Sequence, residues 1–145
     1  MSDETNGKPP IWYYVLAGIF FLWNLVGLIL YYGQVTMTPE IMEQNFTVAQ
    51  IALMNDTPVW ATSAYAIAVN AGVIATLLLF MRKAWAFHFF VLSLVAALVQ
   101  DLDAFILRDV FDAWGNDALV VPIMVIIVGS IEIWYSRSVA NRYYR

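Results

Sequence analysis

Apolar positions run almost unbroken through four stretches of this chain, and the polar positions collect between them. A helix needs roughly 20 apolar residues, at about 1.5 Å of rise each, to cross the hydrocarbon core of a bilayer. Residues 11–32, "IWYYVLAGIFFLWNLVGLILYY", meet that requirement, and so do 58–81, 84–107 and 118–135. The expected fold class is all-α, an integral-membrane four-transmembrane-helix bundle that forms one domain over 1–145.

Local signals sharpen these boundaries. Pro9 and Pro10 precede the first span and Gly33 is a suitable C-cap, so that helix is expected to stop at Tyr32. Its length predicts a retained anchor, because "MSDETNGKPP" is mixed in charge where a cleaved leader wants a positive n-region. Asn116 or Asp117 is placed to cap span four, with Pro122 in its early turns. Span three has no Gly or Pro between Ala84 and Trp114. A continuous helix there would measure roughly 45 Å against a core of about 30 Å, so it either protrudes or bends along the surface.

The loop after span one carries its own pattern. In "TPEIMEQNFTVAQIALMND", Thr38 is an N-cap, Pro39 takes the first helical position and Glu40 sits near the positive helix end. Met42, Phe46, Ala49 and Leu53 then recur at helical spacing. The reading is one short interfacial helix over 38–55 that covers the bundle's mouth.

Composition agrees with the pattern and narrows the chemistry. Of 145 residues, 62% are hydrophobic and 12% charged, with a mean hydropathy of +0.71, which suits a lipid bilayer rather than water as solvent. Absence of cysteine excludes thiol redox chemistry, disulfides and cysteine zinc sites. The one histidine, His88, cannot build a multi-histidine metal site within one chain, so no metal and no cofactor are expected. No HExxH, nucleophile elbow, P-loop or dinucleotide fingerprint occurs, no catalytic residue stands out, and nothing suggests nucleic acid as a partner. An enzyme is not expected.

Charge distribution orients the bundle. Lys8, Arg82, Lys83, Arg137, Arg142 and Arg145 fall at one end, which by the positive-inside rule faces the cytoplasm together with both termini. Glu40, Glu43, Asp56, Asp101, Asp103, Asp109, Asp112 and Asp117 collect at the other, with Arg108 as its only basic residue. Trp12, Tyr13, Tyr14, Trp85, Trp134 and Tyr135 are expected to form an inner aromatic belt, and Tyr31, Tyr32, Trp60 and Trp114 an outer one.

Polar groups inside the spans are the candidate sites. Asn24 and Asn70 lie near the middle of spans one and two, and pairing the two amides would be the cheapest way to satisfy both. Gln100 and Asp101 join them as candidate substrate-binding groups below an acidic vestibule, in which Asp101, Arg108 and Asp112 share a helix face. His88 and Glu132 are each placed about one turn from the inner end of their spans, as a candidate inner gate. Ala64, Ala68, Gly72 and Thr76 form a small-residue stripe for helix packing, within the chain or between copies.

The segments "FLWNLVGLILYY", "MTPE", "PVWATSAYAIAVNAGVIATLLLFMRKAWA" and "IWYSRSVANR" resemble a family of small uncharacterised four-span bacterial inner-membrane proteins, some of which carry a sugar-transporter name. The resemblance implies a four-helix inner-membrane fold and no particular chemistry, and the acidic "QDLDAFILRDVFD" departs from it. Two readings of activity follow from the residues. One is a small-solute permease or transporter working as a homo-oligomer; the alternative is an accessory or structural subunit of a larger membrane complex, with a membrane enzyme third.

Overall fold

The computed structural model describes residues 7–143; Arg145, counted above in the basic cluster, lies outside them. Helix α1 (Ile11–Val35) starts after Pro10, whose extended backbone and missing N–H suit the position before a first turn. It runs three residues past the expected stop at Tyr32. The Thr36 N–H and hydroxyl both bond the Tyr32 carbonyl, at 3.1 and 2.6 Å, so the ladder carries through Gly33.

Two short helices follow where one was expected. Helix α2 (Pro39–Asn45) has Thr38 as its N-cap, and Glu40 in its first turn has its pKa lowered by its own backbone N–H and the Thr38 side chain. The chain then extends at Phe46 and restarts as α3 (Val48–Asn55), because Thr47 and Gln50 form a capping box with bonds of 3.3 and 3.0 Å.

Helix α4 (Val59–Phe80) ends in a Schellman turn, in which Arg82 takes a left-handed φ of 57° and the Lys83 N–H bonds Leu78 O at 2.9 Å. Helix α5 (Trp85–Leu102) follows at once and passes into a π turn over Asp103–Leu107. The Arg108 N–H closes that turn on Asp103 O at 3.0 Å, and Asp109 adopts φ 48°. Of the two alternatives for span three, the helix therefore bends. A four-residue α6 (Phe111–Trp114) and a 3₁₀ turn (Gly115–Leu119) return the chain to α7 (Val120–Tyr143). The last helix extends eight residues beyond the expected end at Tyr135.

Helices α1, α4, α5 with its π turn, and α7 are each long and apolar enough to cross a membrane. The protein is an all-α, multi-pass integral-membrane bundle. Many large apolar side chains point outward: Trp12, Leu22, Val121 and Trp134 are all more than half exposed, as a lipid-facing surface allows. Within the bundle α4 is central. It packs against α1 on one side and α5 on the other, and α7 lies against α5.

Small residues let α4 occupy that place. Ala61, Ala64, Ala68, Ala71, Gly72, Ala75 and Thr76 are buried, so two backbones approach it closely. The core is uneven along the axis. At the end that carries the termini, Tyr13, Phe20, Leu79, Phe90 and Val139 fill the interior. Toward the end that carries α2 and α3, the buried cluster consists of the small side chains Ala68, Ala96 and Ala97.

Candidate functional site

Helix α1 buries Tyr13, Ala17, Phe20 and Asn24 along one stripe, so the amide at the middle of the span faces the interior. Helix α7 buries Glu132, Ser136 and Val139 by the same helical spacing. The two stripes meet at mid-depth. Asn24 Nδ2 donates to Glu132 Oε1 at 2.6 Å and to the Phe20 carbonyl of its own helix at 2.9 Å. Both side chains are buried, Asn24 to 8% exposure and Glu132 to 4%.

Gly72 of α4 makes room for this pair. A Cβ there would overlap Asn24 Oδ1 and lie 2.9 Å from Asn24 Cγ and 3.2 Å from Ser93 Oγ. Ser93 in turn donates to the Ala68 carbonyl at 2.7 Å, tying α5 to α4 one turn away. Residues of all four spans therefore converge here.

Below the pair, the end that carries the termini is closed by rings. Tyr135 stacks edge-on against Phe20 at 5.7 Å and lies 6.2 Å from Tyr13, which in turn meets Tyr143 at 5.8 Å. The Tyr13 hydroxyl donates to Leu79 O at 2.5 Å, anchoring the stack to α4. Tyr13 and Tyr135 thus pack inward, whereas Trp12, Trp85 and Trp134 are exposed on the lipid-facing surface.

At the opposite end lies a cavity of about 490 Å³ between α1, α3 and the π turn of α5. Its walls include Leu30, Gln34, Phe46, Leu53, Gln100 and Trp114. That volume lies within the roughly 300–1,000 Å³ of small-molecule sites. Helices α2 and α3 roof it through three contacts. Phe46 packs edge-on to Trp114 at 5.7 Å, Gln50 Nε2 donates to Ala113 O at 3.2 Å, and Arg108 Nη1 donates to Leu53 O at 2.6 Å and Thr57 Oγ1 at 3.0 Å.

The remaining donors of Arg108 go to Asp103, with Nε at 2.7 Å and Nη2 at 2.5 Å from Oδ2. Asp103 is 1% exposed. The π turn explains this pairing, since one extra residue in the turn swings Arg108 back over the carboxylate five positions earlier. The guanidinium is neutralised and nearly saturated, so it latches the roof and contributes little free charge to the cavity.

Several expected relationships are corrected. Asn70 does not meet Asn24: it is exposed on the far face of α4, about 200° around the helix from Gly72, and donates to the Ala66 carbonyl at 2.8 Å. His88 does not meet Glu132. It is exposed beside the Trp85 and Phe87 rings, while Glu132 lies halfway along a helix longer than expected. Near this end Arg137 of α7 lies over the Phe87 ring of α5 at 5.5 Å.

The acidic vestibule also differs from expectation. Among the described residues, no carboxylate lines the cavity. Gln100 does line it, Asp101 is half-buried outside it, and the bend at Asp109 removes Asp112 from the face of Asp101. The stripe of Ala64, Ala68, Gly72 and Thr76 is buried within the single chain. Among the described residues no cluster of ligating side chains is placed to hold a metal ion.

Comparison of the chain with protein-family models, with curated proteins and with solved structures returns no match.

Proposed function

We propose that the protein is a small-solute permease, in which the cavity under α2 and α3 receives the solute and the Asn24–Glu132 pair is the polar station at mid-depth. The observation that carries this reading is Glu132, a carboxyl group buried halfway along a spanning helix with one amide as its hydrogen-bond partner among the described residues. Ionisable groups at that depth are costly to keep, and they mark proton or solute pathways more often than passive structure. The reading is further supported by the asymmetry of the core, open beneath the roof and closed by Tyr13, Phe20, Tyr135 and Tyr143.

The orientation belongs to the same proposal. Lys8, Arg82, Lys83, Arg137 and Arg142 lie at the end where α1 begins and α7 finishes, and the positive-inside rule supports a cytoplasmic side there, with the roofed cavity outside. With it goes the resemblance to four-span bacterial inner-membrane proteins, and hence a place in an inner membrane.

Uptake into proteoliposomes tests the reading. Sugars, amines and organic acids that raise the melting temperature of the purified protein would be supplied in radiolabelled form. Saturable uptake that Glu132→Gln reduces at least tenfold, in a variant that melts like the wild type, supports the permease. A panel without uptake, or uptake indifferent to Glu132→Gln, rejects it. The competing reading, an accessory subunit, draws on the first half of α7, where Val120, Val121, Ile123, Met124 and Ile127 are each about half exposed. Its mark would be a stable partner co-purifying through that face.

A further inference from the structure

The lipid-facing side of α4 carries an amide that the chain leaves half satisfied. Asn70 sits at the middle of α4 and is exposed, and its Nδ2 bonds only the Ala66 carbonyl one turn back. Its Oδ1 and its second N–H have no partner among the described residues. In hydrocarbon such groups cost several kcal/mol each, because no water replaces the missing bonds. Other exposed polar side chains of the spans avoid that cost. Ser63 and Ser130 each spend their one hydroxyl donor on the carbonyl four residues earlier, at 2.8 and 2.7 Å.

Asn70 also stands in a register. The exposed positions Ser63, Ile67, Asn70, Ile74, Leu77 and Met81 alternate by four and three residues, which is a heptad seam. Ile67, Ile74 and Leu77 are 48%, 42% and 47% exposed, so the ridge is not recessed between α1 and α5. A single Asn among apolar seam residues is the arrangement that sets register and strand number in parallel helix pairs.

We infer that α4 dimerises with α4 of a second copy of this chain through this seam, with the two Asn70 amides bonded to each other across the two-fold axis. A primary amide is self-complementary: each one offers the donor that the other's oxygen lacks, so an isologous contact satisfies both. Copies inserted in the same orientation bring their α4 helices together in parallel, as the register demands. A left-handed crossing near 20° then keeps Ile67, Ile74 and Leu77 in contact above and below the amides. The seam lies on α4 alone and is independent of whether the chain moves a solute.

The absence of cysteine makes the test direct. Single cysteines placed in turn at positions 66 to 77, in the full chain in native membranes, would be oxidised with copper phenanthroline. Disulfide dimers peaking at 67, 70, 74 and 77 with a period of 3.5 are expected. A flat profile, or a maximum at Leu22→Cys on α1 or Val121→Cys on α7 included as comparisons, overturns the inference. In liposomes, Asn70→Leu should weaken dimerisation roughly 3- to 30-fold by subunit counting at graded dilution, the range spanned by single interhelical polar contacts. Asn70→Gln should restore most of it, and unchanged association in Asn70→Leu would overturn the assigned role. Because position 70 faces away from the bundle, an unchanged melting temperature shows that a loss of dimer is not a loss of fold.

Discussion

Asn24 and Glu132, 108 positions apart in the chain, share a 2.6 Å hydrogen bond at the middle of the bundle, and the bond exists because Gly72 leaves space for the amide. Removing the amide strands a buried carboxyl group, whereas converting the acid to an amide keeps an acceptor of the same shape. Asn24→Leu should therefore cost about 1–3 kcal/mol and Glu132→Gln under about 1 kcal/mol. Unfolding in mixed micelles measures both. Equal, small effects would show that the pair is not formed in the membrane.

Gly72→Ala tests the space itself. The added methyl meets an Asn24 side chain that two hydrogen bonds prevent from swinging away. A loss of about 1–3 kcal/mol is expected, as for other overpacked cores. Gly18→Ala is the control, since a Cβ at that helical glycine meets nothing within 4 Å and should leave stability unchanged or slightly raised.

Arg108 and Asp103 are expected to behave as a buried pair. Losing one partner leaves the other charge uncompensated, at a cost of about 3 kcal/mol, the low end of the range because the Arg108 side chain is 15% exposed. The double variant Asp103→Asn with Arg108→Leu should be less damaging than Arg108→Leu alone. Hydrogen exchange across residues 48–57 should quicken in Arg108→Leu, because the bonds to Leu53 O and Thr57 are lost together.

Fixing the roof should separate entry to the cavity from folding. Cysteines replacing Phe46 and Trp114, whose rings are 5.7 Å apart, would be joined by a short bis-methanethiosulfonate, whose disulfide links a reductant cleaves. If the protein is the permease proposed above, saturable uptake should fall to background in the joined protein and return after cleavage. Uptake that survives joining would mean that the solute does not enter beneath α2 and α3.

Much of the architecture was legible in residue patterns. Four apolar runs predict the four spanning helices, and Thr38-Pro39 marks the start of α2 as observed. The capping box of Thr47 and Gln50 was equally readable, but apolar spacing from Met42 through Phe46 to Leu53 hid the break between α2 and α3. Polarity rises after Tyr135, the expected end of the fourth span, yet α7 continues to Tyr143. Backbone hydrogen bonds continue regardless of polarity, and with eight more residues Glu132 moves from the helix end to its middle. The bend after α5 had no Gly or Pro to announce it; it comes from a π turn stabilised by the Asp103–Arg108 contact, which no local pattern encodes.

The sequence by itself determined that this is a four-span helical membrane protein, which end carries its basic residues, and which helix face holds the small side chains. Those properties are local or additive, since a helix closes its own hydrogen bonds within four residues and transfer to lipid sums over side chains. Tertiary structure alone decided that Asn24 meets Glu132 rather than Asn70, that His88 faces outward, and that Arg108 serves as a latch. Each of these depends on which faces of distant helices come into contact. A few contacts set that choice, such as the gap at Gly72 and the ring stack at Tyr13, rather than the composition of any one span.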